Sequence, residues 1–92
     1  MSRYLIERRF VGPEKARAET LRAADYLLLN ENNLLEGVTW LHSYVSVEKR
    51  WWFCLYDGPS PESLRRAAAR NRLPIHEITE VIVLDTYAFP QK

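Results

Sequence analysis

Residues 38–57 read V-T-W-L-H-S-Y-V-S-V-E-K-R-W-W-F-C-L-Y-D, and the reading of this stretch decides the fold. β-Branched and aromatic residues fill both halves, and the polar run Glu48-Lys49-Arg50 parts them. Such halves favour half-buried strands, so the pattern predicts a hairpin with strands over 38–47 and 51–57. No Asn-Gly or Asp-Gly stands at the turn, which predicts a connection longer than two residues. Strict alternation sets Trp40, His42 and Tyr44 on one face of the first strand, with Leu41, Ser43 and Val45 on the other. In the second strand Trp52, Cys54 and Tyr56 share a face, opposite Trp51, Phe53 and Leu55.

Outward from the hairpin, the N-terminal side holds a strand over 3–10, in which Tyr4, Ile6 and Arg8 alternate with Leu5, Glu7 and Arg9. Gly12-Pro13 ends it, and a helix over 14–29 follows, rich in strong helix formers. Leu21, Ala24 and Leu28 form its expected apolar stripe, Asn30 to Asn33 its stop, and Leu34 and Leu35 are expected to pack back beneath its end. On the C-terminal side, Ser60 reads as an N-cap and Pro61 as the first residue of a helix over 61–71, with Asn71 suited to a left-handed C-terminal position. A dense apolar run over 75–84 reads as a strand covered on both faces.

The order is β-α-β-β-α-β within one expected domain over residues 1–92. That is the pattern of the ferredoxin-like α+β fold: a four-stranded antiparallel sheet with both helices on one face. Right-handed crossovers place the first and third strands at the centre. The strands are apolar on both sides, so the uncovered face would expose a larger aromatic patch than a monomer normally shows. A homodimer with two sheets packed face to face, a dimeric α/β barrel, is the expected answer, and the aromatic tail beyond residue 84 is expected to reach the partner.

The totals exclude several classes. Net charge is +1, with no block of five or six like charges, so no nucleic-acid partner is expected. The basic residues Arg65, Arg66, Arg70 and Arg72 read as a solvated helix face. No apolar run approaches the roughly 18 residues of a membrane span, and no membrane partner is expected. A lone cysteine rules out an internal disulfide and, with no signal-peptide pattern at the start, points to a cytoplasmic protein.

Four segments carry a resemblance to a known family: Y-L-I-E-R at 4–8, W-L-H-S-Y-V-S at 40–46, F-C-L-Y-D-G-P-S-P-E-S-L-R-R-A-A-A-R at 53–70 and L-P-I-H-E-I-T-E-V at 73–81. They resemble the small bacterial proteins classed as nickel-binding or nickel-responsive-protein-like. The resemblance implies a ferredoxin-like dimeric α/β barrel and a nickel-binding role. The sequence departs from the family pattern at Arg72, where glycine often precedes Leu-Pro.

Glu7, His42 and Cys54 would line up across three neighbouring strands if the registers permit, and imidazole, thiolate and carboxylate together suit nickel or another divalent transition metal. The structural alternative is a hydrogen-bonded buried histidine beside a small core cysteine. Cys54 as a nucleophile is the weaker reading, because a central strand gives poor access. Trp40, Tyr44 and Tyr56 would wall a small-ligand site, and His76 would be an outlying contact at the barrel rim or a solvated strand-end residue. A charged residue in the central strand, Glu7 or Arg8, is either paired or lines a polar cavity, and Glu7 is the one expected in the barrel interior. The favoured function is a small binding protein that holds a metal or small ligand in a homodimer, more a binder than an enzyme. A cofactor-independent oxygenase, a haem-type enzyme and a purely structural dimerisation module are the alternatives, the enzymes by analogy of fold.

Overall fold

The first strand sorts the molecule. In β1 (Ser2–Arg9) the side chains of Tyr4, Ile6 and Arg8 are buried, while Leu5 and Glu7 between them are half-buried. The computed structural model describes residues 1–87, with all side chains except those of residues 13, 14, 16 and 17. After β1 come α1 (Gly12–Glu19), α2 (Ala23–Leu34), β2 (Thr39–Val45), β3 (Trp51–Gly58), α3 (Pro61–Asn71) and β4 (Glu77–Val81). The sheet order is β2-β3-β1-β4, and every pairing is antiparallel. This is the ferredoxin-like arrangement, with its helical crossovers on one face. No helix among the described residues is long and apolar enough to cross a membrane.

The core lies between the sheet and α3. Tyr4, Ile6, Cys54 and Tyr56 from the sheet meet Val38, Leu64 and Ala67. Helix α3 begins as its sequence requires: Ser60 Oγ accepts from the Ser63 N–H at 3.2 Å, with Pro61 in the first turn. It ends differently. Arg72, not Asn71, takes the left-handed conformation, at φ 54° and ψ 45°. Asn71 stays helical and buried because α2 needs it. Its Nδ2 donates to Asn33 Oδ1 at 3.0 Å and to the Leu29 carbonyl at 3.3 Å, and its Oδ1 accepts from Asn32 Nδ2 at 2.8 Å.

That network also explains why the asparagine run does not stop α2. With their side chains bonded to α3, Asn32 and Asn33 no longer compete for their own backbone, and the helix continues to Leu34. The expected single helix over 14–29 is instead two helices broken at Thr20-Leu21-Arg22. Arg22 is extended, and its N–H donates to Asp25 Oδ2 at 2.8 Å, restarting the helix. The restart resets the phase: Leu29 and Asn33 are buried, whereas Ala24 and Leu28 are exposed. Leu34 and Leu35 do not pack beneath the helix end; both are about two-thirds exposed, at 68% and 67%. Gly37, at φ 69°, turns the chain into β2 with its N–H on the Leu34 carbonyl at 3.0 Å.

The hairpin turn is longer than two residues, as its composition predicts: Ser46 N–H donates to the Trp51 carbonyl at 2.9 Å, and Lys49 adopts φ 62°. β4 stops at Val81, short of the expected residue 84. Val81 pairs with Arg3 and β1 begins at Ser2, so Ile82, Val83 and Leu84 find no strand to join and lie exposed. The expected tail contact falls largely on residues 88–92, outside the described residues.

Two of the predicted solvated arginines have work to do. Arg66 Nε and Arg70 Nε both donate to the Glu36 carboxylate, at 2.6 and 2.8 Å, tying α3 to the end of α2. These donors hold Glu36 below the usual glutamate range. A carboxyl depressed on folding adds stability above its unfolded pKa of about 4.3 and loses it as pH falls through the folded value. Denaturant titration should therefore find Glu36→Gln less stable than wild type at pH 7, with the gap closing on acidification below about pH 4. Asn71→Ala strands the partners of a buried network and should cost about 2–3 kcal/mol, whereas Asn30→Ala, on the exposed side of α2, should stay within about 0.5 kcal/mol.

Candidate functional site

The registers divide the candidate residues between two faces. On the face away from the helices, one row across the sheet runs Tyr44, Phe53, Glu7, Glu77 and the next runs His42, Leu55, Leu5, Thr79. Thr39, Asp57, Arg3 and Val81 form the row beyond, with Arg3 Nε donating to Asp57 Oδ1 at 2.7 Å. On the helix side, Trp40 stands beside Tyr56 and Tyr4, and Ser43 beside Cys54 and Ile6.

The expected metal set Glu7, His42 and Cys54 is therefore split. Cys54 is 1% exposed on the helix side, because period-two alternation carries it inward with Trp52 and Tyr56. Glu7 and His42 share the open face, but β3 lies between their strands and they sit one row apart. Two strand spacings of about 4.8 Å and one row along the strands set their backbones roughly 12 Å apart, and only the apolar Phe53 and Leu55 lie between them, so no third donor joins them. Among the described residues no group of three or more His, Cys, Asp and Glu side chains is placed to hold a metal.

The expected ligand walls are split too. A β-bulge between Trp40 and His42 inserts Leu41 and breaks the alternation. Trp40 turns to the helix side, stacked between Tyr26 (5.7 Å) and Tyr56 (6.3 Å), while His42 and Tyr44 turn outward in edge contact at 5.2 Å. His76, just before β4, is exposed and meets Trp51 edge-on at 5.0 Å.

What the open face does assemble is an apolar surface with an acidic end. Leu5, Trp51, Phe53 and Leu55 are half-buried there, and Tyr44 is 66% exposed. Glu7 and Glu77 stand directly opposite each other, and like charges in that position are destabilising. Among the described residues neither carboxylate has a hydrogen-bond or ion-pair partner. Glu77 reads in the sequence as a plain surface acid. Only the register with β1 gives it significance, and register is invisible in a single strand.

A second feature lies between the sheet and the helices. Arg8, 2% exposed, donates from Nη1 to the Pro74 carbonyl at 2.7 Å and from Nη2 to Tyr56 Oη at 3.0 Å. Its Nε has no partner, and among the described residues no carboxylate lies within ion-pair distance. Burial pushes the Tyr56 phenol up, against the opposing charge of Arg8, so it stays protonated at neutral pH. The cavity beside them, walled by Phe10, Trp40, Trp52, Leu21 and Leu29, has a volume of about 10 Å³, room for one water at most. The sequence marks Arg8 only as a central-strand charge that must be paired or line a cavity; its place beside Tyr4 and Ile6 in the alternation was the signal for the helix side.

The comparisons with known proteins agree with this fold. The family model for the nickel responsive protein SCO4226-like group matches residues 4–81. The crystal structure of SCO4226 from Streptomyces coelicolor A3(2) superposes with a TM-score of 0.60 at 20% identity, covering 91% of this chain and 100% of that one. At such identity the likeness speaks for the fold alone. None of the curated proteins compared matches the chain. With the family model spanning all four strands and all three helices, the chain belongs to the SCO4226-like family of nickel-responsive proteins.

Proposed function

We propose that this protein is a nickel-binding homodimer in which two open sheet faces pack together and donors from both chains hold the metal. The observation that carries the reading is the facing pair Glu7 and Glu77, two carboxylates with no ion-pair partner among the described residues, on an open face that also carries the Arg3–Asp57 pair and Arg9, whose guanidinium lies over Trp51. A divalent ion offsets their repulsion, and carboxylate with imidazole is a donor set nickel accepts. Among the described residues of one chain no three such donors converge on a metal. A second face brings its own carboxylate pair and His42, so Glu7, Glu77 and His42 are the residues that would hold nickel.

Leu5, Trp51, Phe53, Leu55 and Tyr44 leave apolar area in water, and each Å² removed contributes about 25 cal/mol. Ile82, Val83, Leu84 and Tyr87, beyond β4, are exposed as well. A face of one sheet meeting its own copy is self-complementary, as a two-fold contact requires.

Light scattering on the eluting protein should give a dimer, and Leu55→Asp should give a folded monomer. Calorimetric titration of chelator-stripped protein with nickel should give saturable binding that weakens at least tenfold in Glu7→Gln and in Leu55→Asp and is unchanged in Cys54→Ser. A wild-type dimer without nickel binding would leave only the structural module. Nickel held equally well by the Leu55→Asp monomer would contradict the shared site.

A further inference from the structure

Arg8 presents a problem that the nickel reading does not touch. Arginine stays charged at every physiological pH, and a charge taken from water without a counter-ion is costly. Among the described residues, Arg8 in the helix-side core meets two neutral acceptors, the Pro74 carbonyl and Tyr56 Oη, and the face of the Tyr56 ring at 5.8 Å, and its Nε–H has no hydrogen-bond partner. Unsatisfied buried donors are rare in native proteins and call for an explanation. Tyr56 adds a second donor: its oxygen accepts from Arg8, which leaves the phenolic proton for another acceptor.

The surroundings define the ligand chemistry. Phe10, Trp40, Trp52, Leu21 and Leu29 form the walls, and Arg8 and Tyr56 are among the lining residues. Small-molecule sites have this composition, apolar walls with a few polar groups that fix orientation. We infer that this cavity is a site for a small apolar monocarboxylate, its carboxylate oxygen accepting from Arg8 Nε and Tyr56 Oη and its hydrocarbon body lying against Trp40 and Trp52.

In the described conformation the cavity is closed at about 10 Å³, so the ligand selects an opened one. The opening lies at the helix break. Leu21 and Leu29 wall the cavity on one side and a surface cleft of about 560 Å³ on the other. Leu21 belongs to the three residues between α1 and α2 that no helix holds. Its displacement joins cavity and cleft into one space of the usual pocket size. The apparent affinity is the intrinsic one scaled by the fraction of molecules in the opened state.

Benzoate is a suitable probe, with benzamide as its uncharged isostere, and Trp40 and Trp52 report occupancy through their fluorescence. Benzoate at constant ionic strength should change the fluorescence saturably and raise Tm. Benzamide should bind at least tenfold more weakly, and so should benzoate to Tyr56→Phe, a variant whose fold is checked by circular dichroism. Nickel binding, on the opposite face, should be unaffected by benzoate, so the two proposals fail separately. No saturable response to benzoate, equal binding of benzoate and benzamide, or an unweakened Tyr56→Phe would overturn the assignment. The benzoate–benzamide comparison uses only wild-type protein and stands even if the variant does not fold.

Discussion

The pairing of β1 with β3 is the constraint on which the rest depends. Tyr4 faces Tyr56, Ile6 faces Cys54 and Arg8 faces Trp52, while Leu5 faces Leu55 and Glu7 faces Phe53 between them. Sliding this register by one residue would exchange the two faces, sending Glu7 into the helix-side core and Arg8 out to the open sheet. Helix α3 fixes the choice, because Leu64 and Ala67 need Ile6, Cys54 and Tyr56 beneath them. The sheet thus puts the buried cation Arg8 on the helix side and the facing carboxylates Glu7 and Glu77 on the open one.

Much of this was legible in the amino-acid order. Alternation in β1 and β3 assigned their faces correctly, Ser60-Pro61 marked the start of α3, and the element order led to the strand order. The misses have physical causes. The bulge at Leu41 adds one residue to β2, and nothing in W-L-H-S-Y announces it, yet it turns Trp40 away from His42 and Tyr44. The helix break at Thr20-Leu21-Arg22 rests on Asp25 acting as a cap from within an unbroken run of helix formers. Asn71 looks like a helix terminator by propensity, but a tertiary network with Asn32 and Asn33 overrides that. β4 ends early because β1 has no residues left to pair with it, which only the register reveals.

The candidate site was legible in its parts and not in its assembly. Glu7 and His42 share the open face, and of the two central-strand charges it is Arg8, not the expected Glu7, that lines a cavity among the described residues. Cys54 was grouped with them on strand order alone. Strand order gives neighbours, but face gives contact, and Cys54 packs against Ile6 and Ser43 on the far side of the sheet. The thiol is therefore a core residue, a small apolar group among Tyr4, Ile6 and Tyr56.

The two faces of the sheet offer a metal different donors. Nickel K-edge X-ray absorption on the loaded protein reads this directly, because it counts the donor types around the ion. The open face offers only oxygen and imidazole nitrogen, so the expected first shell contains light atoms, an imidazole signature and no sulfur. A nickel–thiolate shell would place the ion at Cys54, the one cysteine of the chain, and would contradict the division of the sheet on which the reading stands.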